Sequence, residues 1–191
     1  GMGSVSHPPF VDEVMMKKVE ERIIKPTIEG LEIQQLGYRG VIFIGLISVD
    51  DEPFVIEYNC RMGDPETQSV FPRLKTDLVE LCRATAAGEL AKVEIAIDER
   101  AVASVILVSG GYPGSYEKGK VITGLDEVEG SLVFHAGVRE EHGQLLTNGG
   151  RVLAVTSYGD TFQDALNTSL ANAAKIQFDG VYYRKDIGFD L

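Results

Sequence analysis

Glu57-Tyr58-Asn59-Cys60-Arg61-Met62-Gly63-Asp64-Pro65-Glu66-Thr67-Gln68 opens as a strand and closes as a polar loop. Side chains on a strand alternate between faces. Glu57, Asn59 and Arg61 therefore share one face, and Ile56, Tyr58 and Cys60 the other. The first face offers a carboxylate, an amide oxygen and a guanidinium in a row. The second is largely apolar and is expected to enter a core. A carboxylate beside a neutral oxygen suits Mg²⁺, a hard cation often shared with nucleotide phosphates. An arginine one step along can grip a phosphate with two donors. Taken alone, the five-residue pattern also describes a half-exposed edge strand with a Glu–Arg cross-pair. The loop that follows shifts the balance. Gly63 permits unusual backbone angles and Pro65 fixes one, so Asp64, Glu66 and Thr67 are presented at some conformational cost.

Upstream, residues 41–47 form a continuous apolar run that reads as a strand buried on both faces. Asp50-Asp51-Glu52-Pro53 reads as a turn, so 41–47 and 54–61 make a hairpin that supports the Glu57 face. Before it, Asp12 opens a helical pattern in which Met15, Val19, Ile23, Ile24, Ile28 and Leu31 recur at spacings of three and four. Pro26 lies inside this stripe and predicts a kink, and Gly37 ends it. The first four residues, Gly1-Met2-Gly3-Ser4, read as small and flexible. Downstream, 69–74 predicts a short helix. Thr76 or Asp77 caps another, with Leu78, Leu81, Cys82 and Thr85 on one side and Gly88 as its stop.

The pattern changes near Asp98. Residues 101–109 read as a long apolar strand and Gly110-Gly111-Tyr112-Pro113-Gly114 as a turn. Short strands are expected at 121–123, 132–136 and 144–147, and a core strand at 151–158. Asp160 or Thr161 caps a last long helix with Phe162, Ala165, Leu166, Ser169 and Ala173 inward, and 181–183 reads as a final strand. The fold class is α+β: a helix-and-hairpin first half, then a small mixed sheet carrying one helix. The natural cut lies between 88 and 98.

The chain has 191 residues and a formal net charge of −11. That balance argues against a nucleic-acid or anionic-membrane partner, which needs a basic footprint. It leaves room for a small phosphorylated substrate held by a cation and a few local bases. No apolar run approaches the roughly 20 residues of a membrane span, and no signal peptide is visible. Two cysteines, Cys60 and Cys82, without metal spacing suggest a reducing compartment and a cytoplasmic protein. Cys60 is expected in the core. His7, His135 and His142 have no partner at ligand spacing, and His135 reads as structural. The glycine groups at 110–114 and 148–150 read as hairpin turns rather than phosphate cradles. No dinucleotide or P-loop fingerprint is present.

Glu57-x-Asn59-x-Arg61 resembles the metal-binding strand of the ATP-grasp superfamily. The extension through Gln68, with Pro72-Arg73-Leu74-Lys75-Thr76-Asp77-Leu78 after it, resembles the phosphoribosylamine–glycine ligase (glycinamide ribonucleotide synthetase) family. Gly1-Met2-Gly3-Ser4 looks like the end of that family's Gly-Gly-Met-Gly loop. Gly110–Gly114 and Tyr183-Arg184-Lys185-Asp186-Ile187-Gly188 look like markers of its C-terminal domain. The resemblance covers nearly the whole chain in order.

It implies the C-terminal portion of an ATP-grasp domain over residues 1–92 and a small ligase C-terminal domain over 93–191. The family's N-terminal part, including its first ATP-grasp half, is expected to precede Gly1, so this chain alone is expected to be inactive. The family reaction joins glycine to 5-phosphoribosylamine with ATP converted to ADP and phosphate. By resemblance, Glu57 and Asn59 are metal ligands for Mg²⁺ or Mn²⁺, and Arg61 is a catalytic contact to a phosphate or acyl phosphate. Gly63, Asp64, Pro65, Glu66 and Thr67 face the substrates. Arg184 and Lys185 are read as surface residues. Another ATP-grasp carboxylate–amine ligase, or a non-catalytic interaction module, stays open beside this reading.

Overall fold

Residues 101–108 contain no charged side chain, and in the computed structural model every one of them is buried in a strand. The structure describes residues 1–189 and 191. The strands are β1 (Gly3–Ser6), β2 (Phe43–Val49), β3 (Glu52–Asn59), β4 (Ala101–Val108), β5 (Leu132–His135), β6 (Val138–Glu141), β7 (Gln144–Thr147) and β8 (Arg151–Gly159). The helices are α1 (Glu13–Val19), α2 (Lys25–Ile33), α3 (Thr67–Val70), α4 (Leu78–Ala87) and α5 (Phe162–Ala173). No helix among the described residues is long and apolar enough to cross a membrane.

Two compact units emerge, and they do not follow chain order. One gathers Gly1–His7, Asp64–Arg73 and Asp98–Leu191; the other gathers Pro8–Gly63 and Leu74–Ile97. The first holds a four-stranded sheet in the order β1-β4-β8-β5. Every pairing in it is antiparallel, so the expected mixed sheet is corrected in that respect, while the α+β class stands. The glycine-rich N-terminus, expected to be flexible, is strand β1, because the open edge of β4 offers it ladder partners from Val102 to Val105. On one sheet face Ala103, Val105, Leu107 and Val155 pack against Ala165, Leu166 and Ala173 of α5. Thr161 caps α5 by accepting from the Asp164 amide at 3.2 Å. On the other face the buried Thr156 hydroxyl donates to Ser104 Oγ at 2.9 Å. There Ser69 and Arg73 are tied to β1 through Ser4 and Ser6, at 2.9 and 3.0 Å. Strand β6 was not anticipated; it pairs with β7 in a separate ribbon. Residues 181–183 make a single bridge, Tyr182 to Val108, rather than a strand.

In the second unit Asp12 caps α1, its Oδ1 accepting from the Met15 amide at 2.8 Å. The helical stripe continues past Pro26, and the helix accommodates the proline by a π-turn over Glu20–Ile24 before α2 begins. A proline removes one N–H and crowds the carbonyl four residues back, and a wider turn relieves both. Asp50 and Asp51 both have positive φ, 52° and 59°, the signature of a tight primed hairpin turn between β2 and β3. The 41–47 run is not buried on both faces: Val41 and Ile47 are exposed, and the strand starts only at Phe43. Ile56, Tyr58 and Cys60 are exposed as well, correcting the expectation that they enter a core. A two-stranded sheet has no second layer to bury both faces. Asp77 caps α4, and Gly88 ends it at φ 74°, where a side chain would be strained. Ala84 is its buried residue, whereas Cys82 and Leu78 are exposed.

Candidate functional site

In the second unit the β2–β3 register places Glu57 opposite Gly45 and Asn59 opposite Phe43. A bulge follows: Gly45 pairs with Glu57 but Leu46 pairs with Val55, so Ile56 is the extra residue on β3. Bulges turn side chains to new directions. Gly45 completes the arrangement, since a Cβ there would come within 3.1 Å of Glu57 Cγ. The strand ends at Asn59, so Arg61 lies just beyond it. The three side chains still form one line. Asn59 Nδ2 donates to Glu57 Oε1 at 2.9 Å, and Arg61 Nη2 donates to Asn59 Oδ1 at 3.2 Å. Arg61 Nη1 donates to the Met62 carbonyl at 2.9 Å.

This pair of groups fits a hard cation. Two oxygens on neighbouring corners of an octahedron with bonds near 2.1 Å lie about 3 Å apart. The Asn59 amide already sits 2.9 Å from the Glu57 carboxylate, and a half-turn of that amide exchanges its nitrogen for its oxygen. Among the described residues no group of three or more His, Cys, Asp or Glu could hold a metal. Water or phosphate oxygens suit the positions that Glu57 and Asn59 do not fill. That is the usual way Mg²⁺ is bound beside a nucleotide.

The loop residues Asp64–Thr67 lie in the first unit. Asp64 is gripped by Arg151, at the start of β8. Arg151 Nη2 donates to Asp64 Oδ2 at 2.5 Å and Nη1 donates to the Asp64 carbonyl at 3.0 Å. Nη1 also reaches the Gly1 carbonyl at 3.5 Å. Pro65 was expected to face a substrate, but its ring is fully buried. It packs so closely on Gly1 that a Cβ there would lie 2.6 Å from Pro65 Cδ. Its carbonyl accepts from Ser4 Oγ at 3.0 Å. Gly63 is buried too, which leaves Asp64, Glu66 and Thr67 to present groups outward. The Glu66 carbonyl accepts from the amides of Ser69 and Val70, closing the first turn of α3.

Gln68 Nε2 donates to Asp64 Oδ1 at 3.3 Å. Because a carboxylate only accepts, this bond fixes which way the amide points. Gln68 Oε1 is then buried with no hydrogen-bond partner among the described residues. Such an orphan costs about 1–3 kcal/mol. Arg151, the buried Pro65 and the Ser4 contact hold the loop beside the Gln68 bond.

Sequence reasoning missed Arg151. The available signal was a guanidinium at the first position of an otherwise apolar strand, directly after Gly149-Gly150. Gly149 serves a backbone crossing, since a Cβ there would lie 2.9 Å from Gly137 Cα, and Gly150 leaves room for the Tyr112 ring. His7, His135 and His142 are exposed. Arg184 pairs with Asp186 at 2.7 Å, which supports the surface reading for that segment.

Two sequence profiles match. Residues 1–67 match "Phosphoribosylglycinamide synthetase, ATP-grasp (A) domain", and residues 102–190 match "Phosphoribosylglycinamide synthetase, C domain". Among curated proteins, a phosphoribosylamine–glycine ligase of Caldanaerobacter subterraneus is 41% identical over 187 residues, 98% of this chain and 45% of that protein. The Vibrio cholerae ligase is 45% identical over 192 residues, 99% of this chain and 45% of that protein. The chain thus spans about 45% of the length of the curated relatives it matches. The crystal structure of the Thermotoga maritima phosphoribosylamine–glycine ligase superposes with a TM-score of 0.81 at 37% identity, over 97% of this chain and 46% of that one. The biotin carboxylase domain of Hydrogenobacter thermophilus 2-oxoglutarate carboxylase superposes at TM-score 0.63 with 15% identity, over 97% of this chain and 43% of that one, a likeness of fold alone.

Proposed function

The chain belongs to the phosphoribosylglycinamide synthetase family, and on that premise we propose that it forms the C-terminal part of an ATP-dependent carbon–nitrogen ligase. The ligase joins glycine to 5-phosphoribosylamine, giving glycinamide ribonucleotide, ADP and phosphate, a step of purine synthesis. The observation that carries this reading is the hydrogen-bonded line Glu57–Asn59–Arg61, set in a chain 98% of which aligns with 45% of a ligase of that name.

The glycine carboxylate attacks the γ-phosphorus of ATP, ADP leaves, and glycyl phosphate results. The amine of phosphoribosylamine then attacks the carbonyl carbon; the C–O bond to phosphate breaks and the amine loses a proton. Phosphoryl transfer of this kind depends on positioning and charge neutralisation. Glu57 and Asn59 would hold Mg²⁺ or Mn²⁺, which would supply neutralisation of phosphate charge. Arg61 leaves its contact with Asn59 to grip a phosphate oxygen or the acyl phosphate. Asp64, Glu66 and Thr67 line the substrate side of the loop, whose shape Gly63 and Pro65 set. We set the division between the two family domains near 92/93, within the stretch 68–101 that the two profile matches leave open. The N-terminal part of the same enzyme supplies the rest of the nucleotide site. Two free, exposed cysteines suit a reducing cytoplasm.

The test is ADP release that requires both glycine and phosphoribosylamine, from this chain mixed with the N-terminal part of the ligase. Activity in the mixture and not in either part alone is the expected result. No ADP release from a mixture shown to assemble overturns it.

A further inference from the structure

We infer that Arg151, a residue of the C-terminal sheet, is a positioning residue for the substrate loop Asp64–Thr67. The inference rests on the ligase reading and adds to it a residue outside the Glu57–Asn59–Arg61 line. Beside the helical turn closed on the Glu66 carbonyl, the loop Asp64–Thr67 is held by groups that come from outside it. Its proline is buried, the neighbouring Gln68 carries a buried acceptor with no hydrogen-bond partner among the described residues, and Asp64 is exposed. Arg151 comes from 87 residues away and addresses both the side chain and the backbone carbonyl of Asp64. A guanidinium fork that takes a carboxylate with one arm and a carbonyl with the other fixes orientation as well as distance. A lysine ammonium in its place is a point charge and fixes only distance.

The arginine itself is well held. It opens β8, whose next residues, Val152 to Val155, are buried and paired with β4. Its side chain is 26% exposed, against 52% for Asp64, so the firmer partner is the arginine. Through Nη1 it also reaches the Gly1 carbonyl, and Gly1 packs on Pro65. One side chain thus braces the loop at its aspartate and at the strand end that backs its proline. Arg151 stays outside the chemistry, acting through Asp64 and the loop backbone.

The experiment has two arms. On this chain, hydrogen exchange at the amides of Glu66, Thr67 and Gln68 is compared for wild type, Arg151→Met, Arg151→Lys and Asp64→Asn. Exchange is expected to rise about tenfold in Arg151→Met and less in Arg151→Lys, with β4 and β8 amides unchanged. Equal loop exchange in all four proteins overturns the brace. If Arg151→Met does not fold, Arg151→Lys and Asp64→Asn carry the comparison. In the assembled ligase, Arg151→Met is expected to lower kcat/KM by about tenfold to a hundredfold, chiefly through a raised KM for glycine or phosphoribosylamine, with partial recovery in Arg151→Lys. The double variant Arg151→Met/Asp64→Asn is expected to be no worse than the worse single one. An active wild type whose KM is untouched by Arg151→Met overturns the positioning role alone. A wild type inactive with both substrates overturns the ligase reading and leaves the exchange arm to report the brace by itself.

Discussion

Glu52 accepts from Lys18 Nζ at 2.8 Å and from Arg22, and so ties α1 and the π-turn to the hairpin. The Lys18 hydrogen bond, with that from Arg22 behind it, holds this carboxyl below its ordinary value of 4.5 against an opposing desolvation. A depressed folded-state pKa adds stability that is present above the unfolded value and is lost as pH falls through the folded one. The Glu52 carboxyl resonance is expected to titrate below 4.5 in wild type and to move up in Lys18→Met; an unmoved midpoint would remove Lys18 as the cause. Gly45 is the second residue to test. A Gly45→Val substitution drives a branched side chain toward Glu57 Cγ and is expected to weaken Mn²⁺ binding, followed by electron paramagnetic resonance, about tenfold, or ~1.4 kcal/mol. Wild-type affinity in that variant would remove Glu57 from the ligand set. That Glu57 and Asn59 line up was legible because alternate strand positions share a face, whereas Arg61, past the strand end, joins the line through its bond to Asn59. The bulge at Ile56, the room left by Gly45 and the grip of Arg151 were not legible, because each depends on a partner distant in sequence.

Caps and stops carry the element scale. Asp77 Oδ1 accepts from the Glu80 amide at 3.0 Å, and Gly88 ends the same helix in the left-handed region. Asp77→Ala is expected to lower stability by about 1 kcal/mol in urea unfolding, as loss of an N-cap does; an unchanged midpoint would mean that α4 adds nothing to the cooperative unit. Asp12 and Gly88 could be placed from the sequence, and Asp77 and Thr161 each narrowed to one of two neighbours, because capping is local chemistry. Strand β1 could not. Gly3 to Ser6 has no strand propensity to speak of, and it is extended because β4 has an open edge. For the same reason Tyr182 makes one bridge instead of a strand: its partner Val108 is the last residue of β4.

Burial is uneven across the whole molecule. Leu107, Val105, Leu153 and Val155 are fully enclosed between sheet and α5. Leu107→Ala is expected to cost about 2–5 kcal/mol, measured by denaturant unfolding, and a loss under 1 kcal/mol would place the core elsewhere. The β2–β3 hairpin is the opposite case: two strands with no further partner strand, and Phe54, Ile56 and Tyr58 more than half exposed. Its amides are expected to exchange faster than those of β4 and β8; equal protection would show that the hairpin is buried in solution by something else.

The sequence by itself determined the α+β class, the hairpin, the helix caps, the long buried strands and the row of carboxylate, amide and guanidinium. Each of these follows from periodicity or from chemistry within a few residues. Tertiary structure alone decided that the apolar hairpin face lies open, that the sheet is antiparallel throughout and that Gly1–His7 joins the C-terminal unit. It also decided that Asp64 is held by Arg151. Those outcomes depend on which edges and faces find partners far along the chain, and no local pattern encodes that.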